Sequence, residues 1–550
     1  PSQIINMNFL DLLKAETRDV RNTLLVYMFI SGLSNAMILF VINGAAATVT
    51  FAEINTRLFI MFLVVISIYI LTQQYIFKKA SAIVDQIIQK IRARLTEKII
   101  KRAELVDLDK IGNSRIYNHM THQASEVSTY SNEITAAIQS FIMVVFSVLY
   151  LGTISIEALI VTILVVAMGF LVYLGLEQKI IPYINKYNDS EVKLFSILSH
   201  LLGGFKEIKL SHERGRDIQQ HIDDVSKEAM NNSITTKIMY SNAYIFAQTF
   251  FYVLVGIMVF ILPRFFEIYT MSVTQITAVI LFIIGPLSSV VAGIPAYTRS
   301  NIAIQNILKL EAELDNLKVD PPQFNTNRFN KLKDFKEISF NQLEFDYYDN
   351  NKDKTFGIGP IDFSIKKGET IFLIGGNGSG KSTFLKLITA LYKPAKGEIK
   401  VDNKVVNSQY LQEYRELYSA IFADFHLFDK LYGLDEWDND KVENYIEEME
   451  LMEKTSFQDG VFSNINLSTG QRKRIAMIVS RLEDREIYIF DEWAAEQDPE
   501  FRQYYYYTLL PKLKSENKTL IIVSHDDSQF FSTADRVIKM EHGKLFEITK

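Results

Sequence analysis

Six apolar runs in the first 294 residues leave this chain few folds to adopt. They lie near residues 24–42, 58–77, 134–152, 154–176, 243–262 and 276–294. Each is about 20 residues long, the length an α-helix needs to cross the hydrocarbon core of a bilayer. Acidic and basic side chains are almost absent inside them; Glu157 sits at an end of one. Buried helices of a large soluble core would not repeat charge-free centres of this length. The expected first unit, residues 1–313, is an all-α, six-helix transmembrane domain.

The links between spans alternate in length. Spans one and two, three and four, and five and six are joined by short links, whereas 78–133 and 177–242 are long and charged. The first long loop carries Lys78, Lys79, Lys90, Arg92, Arg94, Lys98, Lys101 and Arg102, while the short links carry mainly Arg57 and Arg264. Positive charge therefore places the long loops and both termini in the cytoplasm. The long loops read as helices continuing out of the membrane. Within the spans, Asn35, Asn43, Gln139, Gln248, Ser288 and Ser289 are polar but uncharged. Such groups usually bond helix to helix, and some can line a pathway. Gly285 and Pro286 permit a kink in the sixth span, since proline removes a helix hydrogen bond.

The pattern changes after Leu310. Residues 314–335 are polar, contain Pro321 and Pro322, and read as a linker. From 336 to 550 short β-rich runs alternate with helical ones, the order of an α/β domain with a largely parallel sheet. A net charge of −6 gives no reason to expect nucleic-acid binding. With no cysteine in the chain, disulfides, thiol nucleophiles and cysteine metal sites are excluded.

The sharpest motif is Gly375, Gly376, Asn377, Gly378, Ser379, Gly380, Lys381 and Ser382. It follows the apolar strand 371–374 and precedes a helical segment starting at Thr383, the strand–loop–helix setting of a phosphate-binding P-loop. Glycines let backbone N–H groups wrap phosphates, and the helix N-terminus adds positive potential. Lys381 is expected to reach the β- and γ-phosphates of ATP, and Ser382 to ligate Mg²⁺. A second buried strand, 487–490, ends in Asp491 and Glu492. Asp491 is placed to hold Mg²⁺ and Glu492 to polarise the attacking water as general base.

Leu467, Ser468, Thr469, Gly470 and Gln471, followed by the charged run Arg472, Lys473 and Arg474, resemble the LSGGQ signature of ABC ATPases. Thr469 replaces the first glycine. This resemblance implies further roles. Asp498 matches the D-loop aspartate, His525 the switch histidine that contacts the γ-phosphate, and Tyr347 the aromatic that stacks on adenine. Ser468, Gly470 and Gln471 then contact nucleotide together with Thr383 and the P-loop. The family usually has a glutamine between P-loop and signature; here that position is Ala423, and Asp424 is the candidate substitute at the metal. The resemblance also implies an ATP site shared between two ATPase domains. With one set of motifs per chain, a homodimer of twelve spans is expected.

Six spans followed by an ATPase resemble the exporter type of ABC transporter over the whole chain. Coupling elements are expected near 111–119 and 201–210. About twenty residues precede the first span, too few for a peptidase domain, so a leader-cleaving exporter is not expected. A closer resemblance lies in the P-loop run 372–382, in Phe490, Asp491, Glu492, Trp493, Ala494, Ala495, Glu496, Gln497, Asp498 and Pro499, and in Ser524, His525, Asp526 and Asp527. These resemble the family of ABC half-transporters that export cyclic peptides, peptide siderophores and a lasso-peptide microcin. The resemblance implies a cytoplasmic-membrane exporter of an amphipathic peptide by alternating access, in contact with membrane lipids. Two other readings stay open: a lipid flippase or drug exporter of the same architecture, and a non-transporting regulatory ABC membrane protein.

Overall fold

The computed structural model describes residues 18–47, 55–266, 272–317, 332–348, 354–434, 436–524 and 528–548, together with Asp11. The chain divides into two compact units: 1–97 with 113–315, and 98–112 with 316–550.

The first unit is helical. Its long helices are α1 (Arg18–Ala47) and α2 (Thr56–Arg102); the short α3 (Leu105–Ile111) belongs with the second unit. Then come α4 (Asn113–Asn118), α5 (Ala124–Ile154), α6 (Ile156–Gly203), α7 (Phe205–Leu210), α8 (His212–Gly256) and α9 (Val273–Asp315). Among the described residues six helices are long and apolar enough to cross a membrane, matching the six runs read from the sequence. The apolar stretch of α6 has a mean hydropathy of 2.7 yet only 11% of it is buried. A side so greasy and so uncovered needs lipid or another chain against it.

The helices are joined as membrane helices are, by small and polar residues. α9 packs along α5, and a Cβ added at Gly293 would stand 2.2 Å from the Ala137 Cβ. Gln139 of α5 hydrogen-bonds Ser31 of α1 and Gln73 of α2. Asn43 donates to the Tyr150 hydroxyl at 3.2 Å. The Gly285–Pro286 pair lies inside α9, which runs on unbroken as one helix to Asp315. Outside the apolar stretches, Arg94 of α2 pairs with the buried Glu311 of α9 at 2.9 Å, and Arg115 of α4 with Glu313 at 2.8 Å. Between α5, α6, α8 and α9 lies a cavity of about 600 Å³, lined by apolar side chains such as Phe141, Phe170 and Phe250.

The second unit is α/β. Strands β1 (Glu337–Tyr348), β2 (Lys354–Lys366), β4 (Lys396–Val401) and β5 (Lys404–Val405) form an antiparallel sheet in the order β2-β1-β4-β5. The main sheet runs β12-β11-β3-β10-β9-β6. Its members are β3 (Thr370–Ile374), β6 (Tyr418–Ile421), β9 (Ile487–Asp491), β10 (Thr519–Val523), β11 (Arg536–Glu541) and β12 (Lys544–Ile548). All pairs are parallel except β11 with β12. A two-strand ribbon, β7 (Phe457–Gln458) with β8 (Val461–Phe462), stands apart.

The central strands read as continuous apolar runs because both faces are covered. Ile371, Leu373, Ile487, Ile489, Ile521 and Val523 point into one core. Their neighbours Phe372, Tyr488, Phe490, Leu520 and Ile522 point into the other. Period-two alternation thus serves two hydrophobic layers. The first layer also takes Phe384 and Leu385 of α10 (Lys381–Ile388). Leu105 and Val106 of α3 pack against that same core. The short helix that docks there is therefore 105–111, just upstream of the 111–119 expected for a coupling element. In 201–210 the structure has the end of α6, with Leu202 exposed, and then α7, with Phe205 and Leu210 exposed.

Candidate nucleotide site

The site is assembled where β3, β9 and β10 end. β3 is buried from Thr370 to Leu373, and the chain leaves it at Gly375. A Cβ there would lie 2.4 Å from the Met540 carbonyl oxygen, with φ at +150°. At Gly380, φ is +107° and a Cβ would meet Ile358 at 2.8 Å. Both positions therefore admit only glycine. Lys381 opens α10, its ammonium donating to the carbonyls of Gly375 at 2.8 Å and Gly376 at 3.1 Å. Burial pushes the Lys381 pKa down, opposed by Glu492 and Asp491 nearby. Ser382 is exposed beside it, whereas Thr383 is buried and bonds the Tyr347 hydroxyl at 3.2 Å. That bond ties the half-buried aromatic of β1 to the P-loop helix. Tyr348, the adjacent ring, is exposed.

Asp491 closes β9 and is 1% exposed. Its Oδ2 accepts the backbone N–H of Ala423 at 3.4 Å. Its Oδ1 is buried and has no hydrogen-bond partner. Burial is the main cause that raises its pKa, helped by the charges of Glu492 and Asp424 and opposed by the Ala423 N–H and Lys381. An orphaned buried carboxylate oxygen suits a hard cation, and with the Ser382 hydroxyl these oxygen donors fit Mg²⁺. The stretch where a glutamine was missing thus supplies a main-chain donor at Ala423. The Asp424 side chain is 76% exposed and 3.8 Å from Lys386.

Glu492 follows in the left-handed region at φ 53°. Its N–H donates to Val523 O at 3.1 Å, and its carbonyl accepts Lys473 Nζ at 2.8 Å. Lys473 belongs to α13, the helix Thr469–Glu483, numbered after α11 (Leu411–Arg415) and α12 (Asn439–Glu448). Ser468 caps that helix in a reciprocal pair with Gln471: Gln471 N donates to Ser468 Oγ at 3.4 Å, and Ser468 N to Gln471 Oε1 at 3.3 Å. Gly470 lets the loop after β9 come close, since a Cβ there would lie 2.6 Å from Glu496 O.

That loop is bonded directly to the signature helix. Gln497 donates from Nε2 to Gly470 O at 3.0 Å and accepts from Arg474 Nε at 2.9 Å. Arg474 also pairs with Asp498 at 2.6 Å. Asp498 in turn caps α14 (Pro499–Tyr504), accepting Phe501 N at 2.8 Å. The Phe501 N–H, then Arg474, hold its carboxyl below the usual range. The structure therefore brings the P-loop, Asp491 and Glu492 to one sheet end, and ties the helix that carries Ser468, Gly470 and Gln471 to Gln497 through Gly470 and to Asp498 through Arg474. His525 lies outside the described residues. Lys473, Arg474 and Gln497 appear in the sequence only as members of motif runs, with no role of their own. In the sequence the two bases look like any charged helix face, and only their burial marks them.

Comparison with known proteins agrees with this geometry. Residues 358–495 match the family described as ABC transporter. The ATP-binding protein SyrD of Pseudomonas syringae pv. syringae is 30% identical over 530 residues, covering 95% of this chain and 93% of that protein. An energy-coupling factor transporter ATP-binding protein, EcfA1 of Mycoplasma mycoides, is 29% identical over 40% of this chain and 56% of its own length. The ATP-dependent lipid A-core flippase 1 of Colwellia psychrerythraea is 29% identical over 38% of each chain. With a P-loop ATPase unit behind six candidate spans and a relative matched along nearly its whole length, the chain belongs to the ABC transporter family, as a multi-pass membrane protein whose ATPase drives transport.

Proposed function

We propose that this transporter exports a peptide-like substrate, of the cyclic or lasso kind, across the cytoplasmic membrane as a homodimer. The observation that carries the reading is the run Trp493 to Pro499, which resembles the cyclic-peptide exporters and is bonded to the signature helix through Gln497. Similarity to SyrD through both the membrane and ATPase halves supports it.

In this reading the chain is a transmembrane domain over 1–313, a linker over 314–335 and an ATPase domain over 336–550. The P-loop N–H groups and Lys381 take the phosphates, and Tyr347 stacks on adenine. Ser382 and Asp491 would hold Mg²⁺, with Asp424 the candidate in place of the missing glutamine; when bound, the cation would supply positive charge against the phosphates. Glu492 draws the proton from the attacking water, and His525 contacts the γ-phosphate. Ser468, Gly470, Gln471 and Asp498 complete the site of the second copy. Nucleotide binding draws the two ATPase domains together, and the coupling elements expected near 111–119 and 201–210 pass the closure to the spans. The substrate must bind the two membrane conformations with different affinity, or ATP could not move it. The basic long loops support a cytoplasmic ATPase domain and cytoplasmic termini.

A lipid-moving reading is favoured by one observation, the apolar cavity between α5, α6, α8 and α9. ATPase activity in lipid nanodiscs, titrated with cyclic peptides, peptide siderophores, lipids and drugs, separates the two. Selective stimulation by cyclic or lasso peptides is expected. Stimulation by lipid or drug alone would discard the peptide reading and keep the transporter.

A further inference from the structure

Glu492 sits in the left-handed region at φ 53°, a backbone conformation that a residue with a side chain adopts only at an energetic cost. Such a conformation persists only where neighbours impose it. On one side the constraint is the sheet, through Val523 O. On the other it is a lysine. Lys473 leaves only 3% of its side chain exposed and delivers its ammonium to the Glu492 carbonyl at 2.8 Å. The same ammonium lies 3.3 Å from Glu496.

The connection also runs in reverse. Trp493, the next residue, donates its indole N–H to the Lys473 carbonyl at 2.9 Å. Its ring is buried and stacked on Tyr505 at 4.6 Å. Lys473 is thus clamped at both ends to the two residues that follow β9. A lysine is almost never buried without such partners, because desolvating an ammonium is costly. A charged residue needed only for solubility would have stayed on the exposed side of α13.

We propose that Lys473 is a positioning residue for ATP hydrolysis. Its ammonium fixes the left-handed peptide from which the Glu492 carboxylate is presented, and it does so from the helix that carries Ser468, Gly470 and Gln471. Any shift of the signature helix then moves the peptide of the base. Lys473 does not touch the reacting atoms; it acts through Glu492. The inference rests on reading Glu492 as the general base.

The test uses the full-length protein in nanodiscs, with Lys473→Met, Lys473→Arg, Glu492→Gln and the double variant K473M/E492Q. Steady-state turnover and the binding of a non-hydrolysable ATP analogue with Mg²⁺ are measured. K473M is expected to lower kcat by about 10–100-fold, with KM and analogue binding within about 2-fold of the parent. K473R, which still donates, is expected to recover most of the rate. K473M added to E492Q is expected to change nothing further, because both act on one step. Parental turnover in K473M, parallel loss of nucleotide binding, or a K473R as slow as K473M would overturn the role. Should K473M fail to assemble, K473Q, polar but one bond short of the carbonyl, carries the same test with the same deciding outcomes. A hydrolytically competent E492Q overturns the reading of Glu492 and the role of Lys473 with it. An inactive E492Q beside a fully active K473M overturns the role of Lys473 alone.

Discussion

Arg415 holds Glu104 and Ala390 with one guanidinium. Its Nη2 lies 2.9 Å from Glu104 Oε2 and 2.6 Å from the Ala390 carbonyl, and its Nε donates to that carbonyl at 3.1 Å. Glu104 is the N-cap of α3, whose Leu105 and Val106 pack on the ATPase core. Ala390 follows α10, the helix that begins at the P-loop lysine. One part-buried side chain therefore joins the long loop after the second candidate span to the far end of the phosphate-binding helix.

Glu104→Ala should loosen α3 without touching the nucleotide site. A lost charge-assisted hydrogen bond of about 1.5 kcal/mol corresponds to roughly a 10-fold faster amide exchange in 105–111. Exchange mass spectrometry reads this directly. The swap Glu104→Arg with Arg415→Glu should restore part of the protection. Unchanged exchange in E104A would show that Leu105 and Val106 hold the helix alone.

Glu492→Gln keeps the shape and removes the base. Turnover should fall by about 10²–10⁴-fold while ATP binding persists. A steady-state assay beside an equilibrium binding measurement gives the comparison, and normal hydrolysis would rule out Glu492 as the base.

Asp491 supplies a pH test. Burial raises its pKa, so its ionised form is the costly one in the folded protein. The sign follows: relative to an ordinary aspartate, stability is highest at low pH and is lost as pH rises through the raised value. Without Mg²⁺ at pH 7.5, Asp491→Asn should therefore melt no lower than the parent, and about 2–4 °C higher if about 1 kcal/mol of penalty is relieved. Adding Mg²⁺ with ATP should raise the parent's melting temperature and leave D491N behind. In the parent, Mg²⁺-dependent binding should weaken on acidification sooner than an ordinary carboxylate would allow. A D491N protein that keeps full Mg²⁺ dependence sinks the assignment.

Asp498 behaves in the opposite sense. Its carboxyl is held below the usual range by the Phe501 N–H and by Arg474. Its contribution is present above the ordinary aspartate value and is lost as pH falls through the depressed one. Asp498→Ala removes a helix cap and should cost about 1 kcal/mol, whereas Asp498→Asn keeps a cap and should cost less. Thermal melts of both variants at neutral pH and near pH 3 check the order.

Asp424→Ala probes the stretch that lacks glutamine. The side chain is exposed and 3.8 Å from Lys386, while the Ala423 N–H already bonds Asp491. Turnover and Mg²⁺ affinity should change by less than about 3-fold, a loss of at most roughly 0.7 kcal/mol, as for a water-mediated contact at an exposed site. A loss of two orders of magnitude would make Asp424 a direct ligand.

What the sequence by itself determined is what local chemistry controls. Six stretches near 20 apolar residues can only be helices in lipid, because no water is there to satisfy a bare backbone. Gly375 to Ser382 after an apolar strand can hardly be anything but a phosphate loop, since its glycines answer to backbone geometry rather than to distant partners. Asp491 and Glu492 were legible because an apolar strand ending in two carboxylates, common when it stands alone, here follows the phosphate loop by about 110 residues. What only the tertiary structure decided is which distant residues meet. Lys473 and Glu492 are nineteen positions apart, Arg415 and Glu104 311 apart, and Ala423 and Asp491 68 apart. The identity of a lysine says nothing of whether it faces water or a carbonyl. That depends on how α13 is rotated against the end of β9, and the rotation is set by two hydrophobic cores built from the whole domain.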